Sequence, residues 1–249
     1  MIRLVISGAC GHMGKVVARL AKEDPAFEVV AGVDLFAENY DEFPVFSSFN
    51  EIAAPCDVVI DFSKPAVLPS LLDFCRAGKT PLILCTTGYS DRELATIHEV
   101  SKEIPLFFSA NMSLGVNLLQ SLAKQAAKIL GGNFDIEIVE KHHNRKVDAP
   151  SGTALMLADS INEELSPPYS YEYDRHGHPG PREPHSIGIH AVRGGTIVGE
   201  HDVIFAGHDE ILTLSHEALS REVFASGALR AAAFMQGKPA GEYDMGALL

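Results

Sequence analysis

The segment IRLVISGACGHMGKVVARLAKE, residues 2–23, decides the fold of the amino-terminal part of this chain. Ile2–Ser7 is an apolar run typical of a buried strand, and residues 8–14 hold three glycines of a tight turn. From residue 15 to residue 23 the apolar side chains recur at helical spacing, which predicts a helix. The segment therefore predicts a strand, a turn and a helix in direct succession.

The same alternation continues through the first 110 residues. Short apolar runs at 29–33, 58–62, 82–86 and 106–108 predict strands, and helical patterns occupy 66–77 and 91–102. Strands that alternate with helices favour a parallel sheet covered on both faces. We therefore expect an α/β fold with a Rossmann-like, doubly wound parallel sheet.

The pattern changes near residue 111. A predicted helix at 115–130 ends at Gly131-Gly132, and alternating apolar residues then predict strands at 134–138, 185–193, 196–206 and 211–217. These features indicate a second, α+β domain with an open mixed or antiparallel sheet. We place it at 113–220 and assign 1–112 and 221–249 to the first domain, with a last helix at 220–236 and an apolar tail packed on that domain. The aperiodic stretch 166–184 is a lid or an oligomer contact.

Composition limits the classes of function. The chain has 249 residues, 46% of them hydrophobic, and a formal net charge of −13, which argues against nucleic-acid binding because that needs a basic surface. Its four cysteines lack metal-binding or Cys-x-x-Cys spacing, which favours reduced thiols and a cytoplasmic location. We expect no signal peptide and no membrane span, because no apolar run is long enough.

The glycine turn predicts a dinucleotide site. Gly8, Gly11 and Gly14 follow the first strand with Gly-x-x-Gly-x-x-Gly spacing, a variant of the usual fingerprint, and Asp34 stands twenty positions later at a strand end. A carboxylate there accepts hydrogen bonds from the ribose. Leu35 and Phe36 supply no cation for a ribose phosphate, so we predict NADH as the cofactor, with NADPH binding more weakly. The alternative is a plain turn beside a solvated strand end.

A cationic segment in this acidic chain predicts the chemistry. Residues 140–154 read EKHHNRKVDAPSGTA, with five histidine, lysine and arginine side chains ahead of a helix start. Unpaired N–H groups at a helix start bind anions, so we expect Ser151, Gly152 and Thr153 to hold a carboxylate of a small dianionic substrate. His142 and Lys146 are the candidates for proton transfer. The alternatives are a solvated strand end and a serine that only caps the helix.

These residues resemble the 4-hydroxy-tetrahydrodipicolinate reductase, or dihydrodipicolinate reductase, family. The resemblance rests on GACGHMG at 8–14, TTG at 86–88, NMS at 111–113, the segment 140–154 and EYDM at 242–245. It implies a cytoplasmic homotetramer of lysine and diaminopimelate biosynthesis, joined through the sheets of the second domain. It also implies hydride transfer from a nicotinamide to a cyclic unsaturated dicarboxylate, with release of water.

The resemblance also implies residue roles. His142 and Lys146 are the proton-handling pair, His143 contacts substrate, and Gly152 with Thr153 binds a substrate carboxylate. His12 stands where the family often has arginine, which again favours NADH. The cofactor-binding residues are Gly8, Ala9, Cys10, Gly11, His12, Met13, Gly14, Asp34, Cys85, Thr86, Thr87, Ser109, Ala110, Asn111 and Met112.

Three other classes of protein are alternatives to this reductase family. A zinc enzyme is suggested by His185, His190, His201 and His216 in predicted strands, but their spacing matches no zinc signature, so we predict no metal. A protein that binds dinucleotide without turnover fits poorly with the cationic segment. Another dehydrogenase for a small anionic substrate on the same fold is the stronger alternative.

Overall fold

The computed structural model describes residues 1–36, 43–177 and 180–248. The chain divides into two compact units. The first comprises Met1–Leu114 and Arg221–Leu249, and the second comprises Gly115–Ser220. The division expected from the sequence, at 112/113 and 220/221, falls beside these limits.

The strands are β1 Ile2–Ser7, β2 Phe27–Val33, β3 Val45–Phe46, β4 Val58–Asp61, β5 Leu82–Leu84, β6 Pro105–Phe108, β7 Asp135–His142, β8 Ser170–Glu172, β9 Ser186–Arg193, β10 Gly199–Ala206, β11 Ile211–Ala218 and β12 Gly241–Tyr243. The helices are α1 His12–Glu23, α2 Leu68–Gly78, α3 Asp91–Ser101, α4 Leu114–Leu130, α5 Gly152–Asn162 and α6 Glu222–Phe234. Short 3₁₀ turns lie at Phe49–Glu51, Pro65–Val67 and Met245–Leu248.

The first unit is built on a parallel sheet in the order β12-β6-β5-β4-β1-β2-β3. Successive side chains of a strand point to opposite faces of the sheet, and in this sheet both faces are buried. Leu4 and Ile6 join a core with α1 and α6, whereas Val5 joins a separate core with α2 and α3. Helices therefore cover both faces, which confirms the predicted doubly wound fold.

Parallel strands place all their carboxyl ends at one edge of this sheet. The segments that begin at this edge are those that follow strands β6, β5, β4, β1 and β2, in the order in which these strands lie in the sheet. Neighbouring strands are in close register there, since Ser7 of β1 pairs with Asp61 of β4, and Asp61 pairs with Leu84 of β5. This edge is where ligands bind in doubly wound sheets.

The second unit is built on a mixed sheet in the order β11-β10-β7-β9-β8. Strand β10 is antiparallel to β7 and β11, whereas β9 is parallel to β7 and β8. Ile136 and Ile138 of β7 pack on one face against Ala123 of α4 and Leu157 of α5. The predicted α+β class with an open mixed sheet is confirmed.

Some elements differ from the sequence predictions. The sequence predicts none of the strands β3, β8 and β12, because two or three residues are too few for a periodic signal. Their pairing with β2, β9 and β6 stabilises them. Helix α1 begins at His12, three residues earlier than predicted. The apolar tail does pack on the first unit: β12 pairs with β6, and Met245 is buried. None of the helices in the described part of the chain is both long and apolar enough to cross a lipid bilayer.

Candidate active site

The glycine turn after β1 brings the predicted cofactor residues close to the end of β2. Gly8 has a φ of +78°, and its N–H donates to Val33 O at 2.9 Å. A Cβ atom on Gly14 would lie 2.2 Å from Gly8 O, so only glycine fits at this position. Gly11 precedes α1 and has no side chain to cap it, and the first turn of α1 has no acidic residue. A turn of this shape fits the pyrophosphate of a dinucleotide.

Asp34 is tied to the same turn. One carboxylate oxygen accepts from the backbone N–H of Cys10 at 3.0 Å, and the other accepts from the N–H of Phe36 at 3.2 Å. The carboxylate is therefore fixed beside the glycine turn. Leu35 and Phe36 are largely exposed, at 75% and 81%.

The segments after β5 and β6 lie at the same sheet edge. Thr86 is buried, and its hydroxyl donates to Asp61 at 2.6 Å. Cys85 is also buried and its N–H donates to Asp61 O, so its side chain faces the core rather than the edge. Burial raises the pKa of the Cys85 thiol well above its usual value. Thr87 is exposed.

The loop after β6 is held by its own hydrogen bonds. Asn111 N donates to Ser109 Oγ at 3.3 Å, and Ser109 Oγ donates to Asn111 O at 2.9 Å. Met112 is buried in the core beside α6, so only its backbone is placed to contact a ligand. Ala110 is exposed. The predicted cofactor residues of the first unit thus follow adjacent strands of one sheet.

In the second unit, β7 carries a polar group where its alternation predicts a core residue. Ile136, Ile138, Glu140 and His142 share one face of the strand, and Glu140 is fully buried. The strand ends at His142, so His143 already belongs to the loop that follows and is not forced onto the opposite face. This is the condition under which both histidines can serve one site.

Glu140 accepts hydrogen bonds from three parts of the unit. His142 Nδ1 lies 2.6 Å from its Oε2, the two terminal nitrogens of Arg193 each donate to it at 2.7 Å, and the N–H of Ser151 donates to Oε1 at 2.9 Å. Burial raises the pKa of Glu140, but the bonds from Arg193, His142 and Ser151 outweigh it and the net shift is downward. We refer to Glu140, His142, Arg193, Ser151 and His201 as the histidine cluster.

Ser151 precedes α5 and caps its first turn. Its Oγ accepts from the N–H of Ala154 at 3.1 Å and lies 3.0 Å from Nε2 of His201, and the residue is 2% exposed. The hydroxyl is therefore the helix cap, and the predicted contact of Ser151 with a substrate carboxylate stays a prediction. Gly152 is exposed with open space around its Cα, and Thr153 is half-buried. Their N–H groups lie in the first turn of α5, which contains no acidic residue.

Lys141 and Lys146 of this segment bind different carboxylates. Lys141 Nζ donates to Glu200 at 2.7 Å, and these contacts raise the pKa of Lys141. Lys146 Nζ donates to Asp148 at 2.8 Å and its backbone N–H donates to His143 O. Arg145 is exposed. Lys146 is thus held in the loop between His142 and α5.

Comparison with known proteins identifies the family. Residues 2–112 match the family model described as dihydrodipicolinate reductase, N-terminus, and residues 115–249 match its C-terminus. The chain belongs to the dihydrodipicolinate reductase family.

Relatives agree over the whole length. The 4-hydroxy-tetrahydrodipicolinate reductase of Caldanaerobacter subterraneus subsp. tengcongensis is 60% identical, over 98% of this chain and 97% of its own. That of Clostridium tetani is 52% identical, over 100% and 97%. A dihydrodipicolinate reductase from Paenisporosarcina sp. TG-14, solved with dipicolinate bound, has 26% identity and a TM-score of 0.83, with all of both chains covered.

These findings confirm the resemblance, the fold class and the predicted function, a 4-hydroxy-tetrahydrodipicolinate reductase. The chain is an oxidoreductase of lysine and diaminopimelate biosynthesis that depends on a pyridine nucleotide and acts on a small dicarboxylate. The alternative of another dehydrogenase is thereby set aside. Across residues 1–36, 43–177 and 180–248, no group of three or more His, Cys, Asp or Glu side chains is arranged to hold a metal ion.

The sequence analysis missed several residues that shape these reductase sites. Asp61 ends the buried strand β4, and Glu140 takes an inward position in the alternation of β7, so an acidic residue at a buried strand position was the available signal. His201 occupies a core position in the alternation of β10. Arg193 gave no such signal, because it ends a strand with nothing to indicate its partner. His201 and Arg193 are brought to the cluster by register, since His201 pairs with Glu140 and Arg193 with His142.

Proposed function

We propose that this reductase uses NADH to convert 4-hydroxy-tetrahydrodipicolinate into tetrahydrodipicolinate, with proton transfer by His142 and Lys146. The observation that carries the proposal is one buried carboxylate, Glu140, that holds both His142 and the start of α5. A proton-transfer imidazole is thereby fixed beside a helix start suited to anions. The solved relative with bound dipicolinate, a ring dicarboxylate, supports the same substrate class.

Binding of the substrate is assigned to the start of α5. The N–H groups of Gly152 and Thr153 and the Thr153 hydroxyl hold one carboxylate, and His143 contacts the substrate from the preceding loop. Each charge-assisted hydrogen bond contributes roughly 1.5–3 kcal/mol. Gly152 suits this role because nothing lies within 4 Å of the position of a Cβ atom there, so a ligand can approach the backbone.

Proton handling is assigned to two groups of one loop. Because the ionised Glu140 accepts from Nδ1 of His142, the proton of the neutral ring sits on Nδ1 and Nε2 is left to exchange a proton. The ammonium group of Lys146 is the other candidate donor of this proton. When bound, the reduced nicotinamide supplies the hydride. The substrate takes up this hydride and one proton in total, and its hydroxyl leaves as water.

Preference for NADH is assigned to the end of β2. The carboxylate of Asp34 suits a ribose diol and repels a phosphate on the same ribose. Residues 37–42, which lie outside the described residues, contain Glu38, Asp41 and Glu42 and neither lysine nor arginine. His12 lies at the exposed start of α1, at the position where the family often has an arginine. We assign the remaining predicted cofactor residues to backbone contacts along the sheet edge.

The roles of the two units and the assembly belong to this proposal. The first unit binds the dinucleotide, and the second binds substrate and joins four copies through its sheet. The face of this sheet opposite the core is partly open, with Val192 45% exposed and Ile211 70% exposed. The described cysteines form no disulfide, which suits the cytoplasm. Light scattering on the purified protein measures the mass, and a monomer at micromolar concentration would refute the tetramer.

The test of function is steady-state oxidation of NADH with enzymatically generated 4-hydroxy-tetrahydrodipicolinate. We expect H142A and K146A each to lower kcat by about 10²-fold or more, the usual contribution of a positioned acid or base. K141A is the matched control, because Lys141 lies in the same segment but binds Glu200. Near-normal kcat in both H142A and K146A would overturn the catalytic assignment.

A further inference from the structure

We propose that Glu140 is the positioning residue of this site: it orients His142 and anchors the loop that carries Lys146. The inference rests on the proposed function for the identity of the catalytic groups. It adds a residue to which neither the family comparison nor the sequence motifs assign a role. Glu140 touches no substrate in this assignment and acts only through His142, Ser151 and Arg193.

The first step of the argument is that Glu140 fixes the ring of His142. Its Oε2 lies 2.6 Å from Nδ1, and the side chain of His142 is 12% exposed, so the ring is held between the protein and the solvent side. A buried carboxylate is costly unless it is paired. Here Arg193 makes a two-pronged contact at 2.7 Å from both of its nitrogens, which keeps Glu140 ionised and acceptor-only.

The second step concerns the loop. The guanidinium of Arg193 also donates to the backbone oxygen of Asp148 at 2.7 Å, and Asp148 accepts from Lys146. Glu140 therefore reaches Lys146 through Arg193 and Asp148, and it reaches the start of α5 through the N–H of Ser151. One carboxylate is connected to both proton-transfer groups and to the anion-binding helix start.

The test combines E140Q with H142A and a matched control, E137Q. Glu137 lies on the same strand on the opposite face, where it binds Arg182 and His190, so its loss also removes a charged network. We expect E140Q to lower kcat by about tenfold or more, with the KM for NADH unchanged, and E137Q to leave kcat within about twofold. In the H142A background, E140Q should lower kcat by a smaller factor than in wild type, because the orientation of His142 is already lost and only the anchoring of the loop is left to disturb.

The tautomer of the His142 ring can be measured by NMR, which tests the positioning role of Glu140 independently of the reaction rate. In wild-type protein, ¹⁵N NMR of the ring of His142, identified by its loss in H142A, should show the proton of the neutral ring on Nδ1. In E140Q the amide accepts or donates, so both tautomers should be populated. An unchanged tautomer, or a full additional loss of kcat in the double variant, would overturn the positioning role even if H142A is inactive. Near-normal turnover in H142A would instead overturn the assignment of His142 to proton transfer in the proposed function.

If E140Q fails to fold, E140D replaces it. The shorter carboxylate keeps the charge but withdraws from His142, so we expect a lowered kcat with a melting temperature closer to wild type. Normal kcat in a folded E140D protein, with the ring tautomer of wild type, would also overturn the inference.

Discussion

The ring of His201 lies edge-on to the ring of His142, with centroids 5.2 Å apart and planes at 76°. His201 is 3% exposed, and its Nδ1 has no hydrogen-bond partner within the described part of the chain. Burial, together with the nearby His142, lowers the pKa of His201 to about 4, against the opposing effect of Glu140. His201 is therefore neutral at physiological pH and adds no charge to the site.

This neutral histidine predicts a pH dependence of stability. The unfolded chain protonates His201 below about pH 6.5, whereas the folded protein does so only near pH 4. The unfolded state binds more protons in this window, so the free energy of unfolding falls as the pH drops through it, by on the order of 3 kcal/mol. In H201Q this part of the slope should vanish in urea unfolding between pH 7 and pH 4. H208Q, at an exposed histidine, is the control. A wild-type slope in H201Q would contradict the assignment.

Gly199 leaves room for the ring of His142. A Cβ atom there would lie 3.1 Å from Nε2 of His142, tighter than ordinary contact. We expect G199A to shift the ring by a few tenths of an ångström and to lower kcat by about tenfold, because proton transfer is sensitive to small displacements. G194A is the control, since its nearest neighbour would be Ile197 at 4.0 Å. Equal kcat values in the two variants would show that His142 does not act from the observed position.

We expect the charge of Asp34 to determine the preference for NADH over NADPH. D34N keeps an acceptor for the N–H of Cys10 but removes the charge, so it should weaken NADH binding and relieve the repulsion of NADPH. We expect the ratio of the two dissociation constants to move toward NADPH by about tenfold, since one charge-assisted bond contributes this much or more. D24N, at another carboxylate that accepts from a backbone N–H, should leave the ratio unchanged. Titration of cofactor fluorescence measures both constants, and an unchanged ratio in D34N would refute the role.

Local sequence patterns predicted most of the fold because periodicity is a property of neighbouring residues. The apolar runs of β1 and β4 and the glycine turn can each be recognised from fewer than ten neighbouring residues. The pairing order of the second sheet has no such signal. Strand β7 is parallel to β9 but antiparallel to β10, and that choice depends on packing between segments about fifty residues apart.

The same limit applies to the site. The segment around His142 and Lys146 was visible as an excess of cations in an acidic chain. Its partners were not, since Arg193 lies 53 positions from Glu140 and His201 lies 50 positions from Ser151.

Arg3 and Asp57 link the starts of two adjacent strands of the first unit, and we expect this contact to make the free energy of unfolding depend on pH in acid. The guanidinium and the backbone N–H of Arg3 donate to Asp57 at 2.6–3.0 Å, and these hydrogen bonds lower the pKa of Asp57 to about 2. The stabilisation is present above about pH 4 and is lost as the pH falls toward 2. Because both side chains are partly exposed, we expect D57N to lower the free energy of unfolding at pH 7 by only about 1 kcal/mol. The difference in the free energy of unfolding between D57N and wild type should disappear near pH 2. The control is E103Q, which breaks a more exposed pair with Arg76 and should change the free energy of unfolding by less than about 0.5 kcal/mol. A gap between D57N and wild type that persisted at pH 2 would show that Asp57 stabilises the sheet by some means other than its charge.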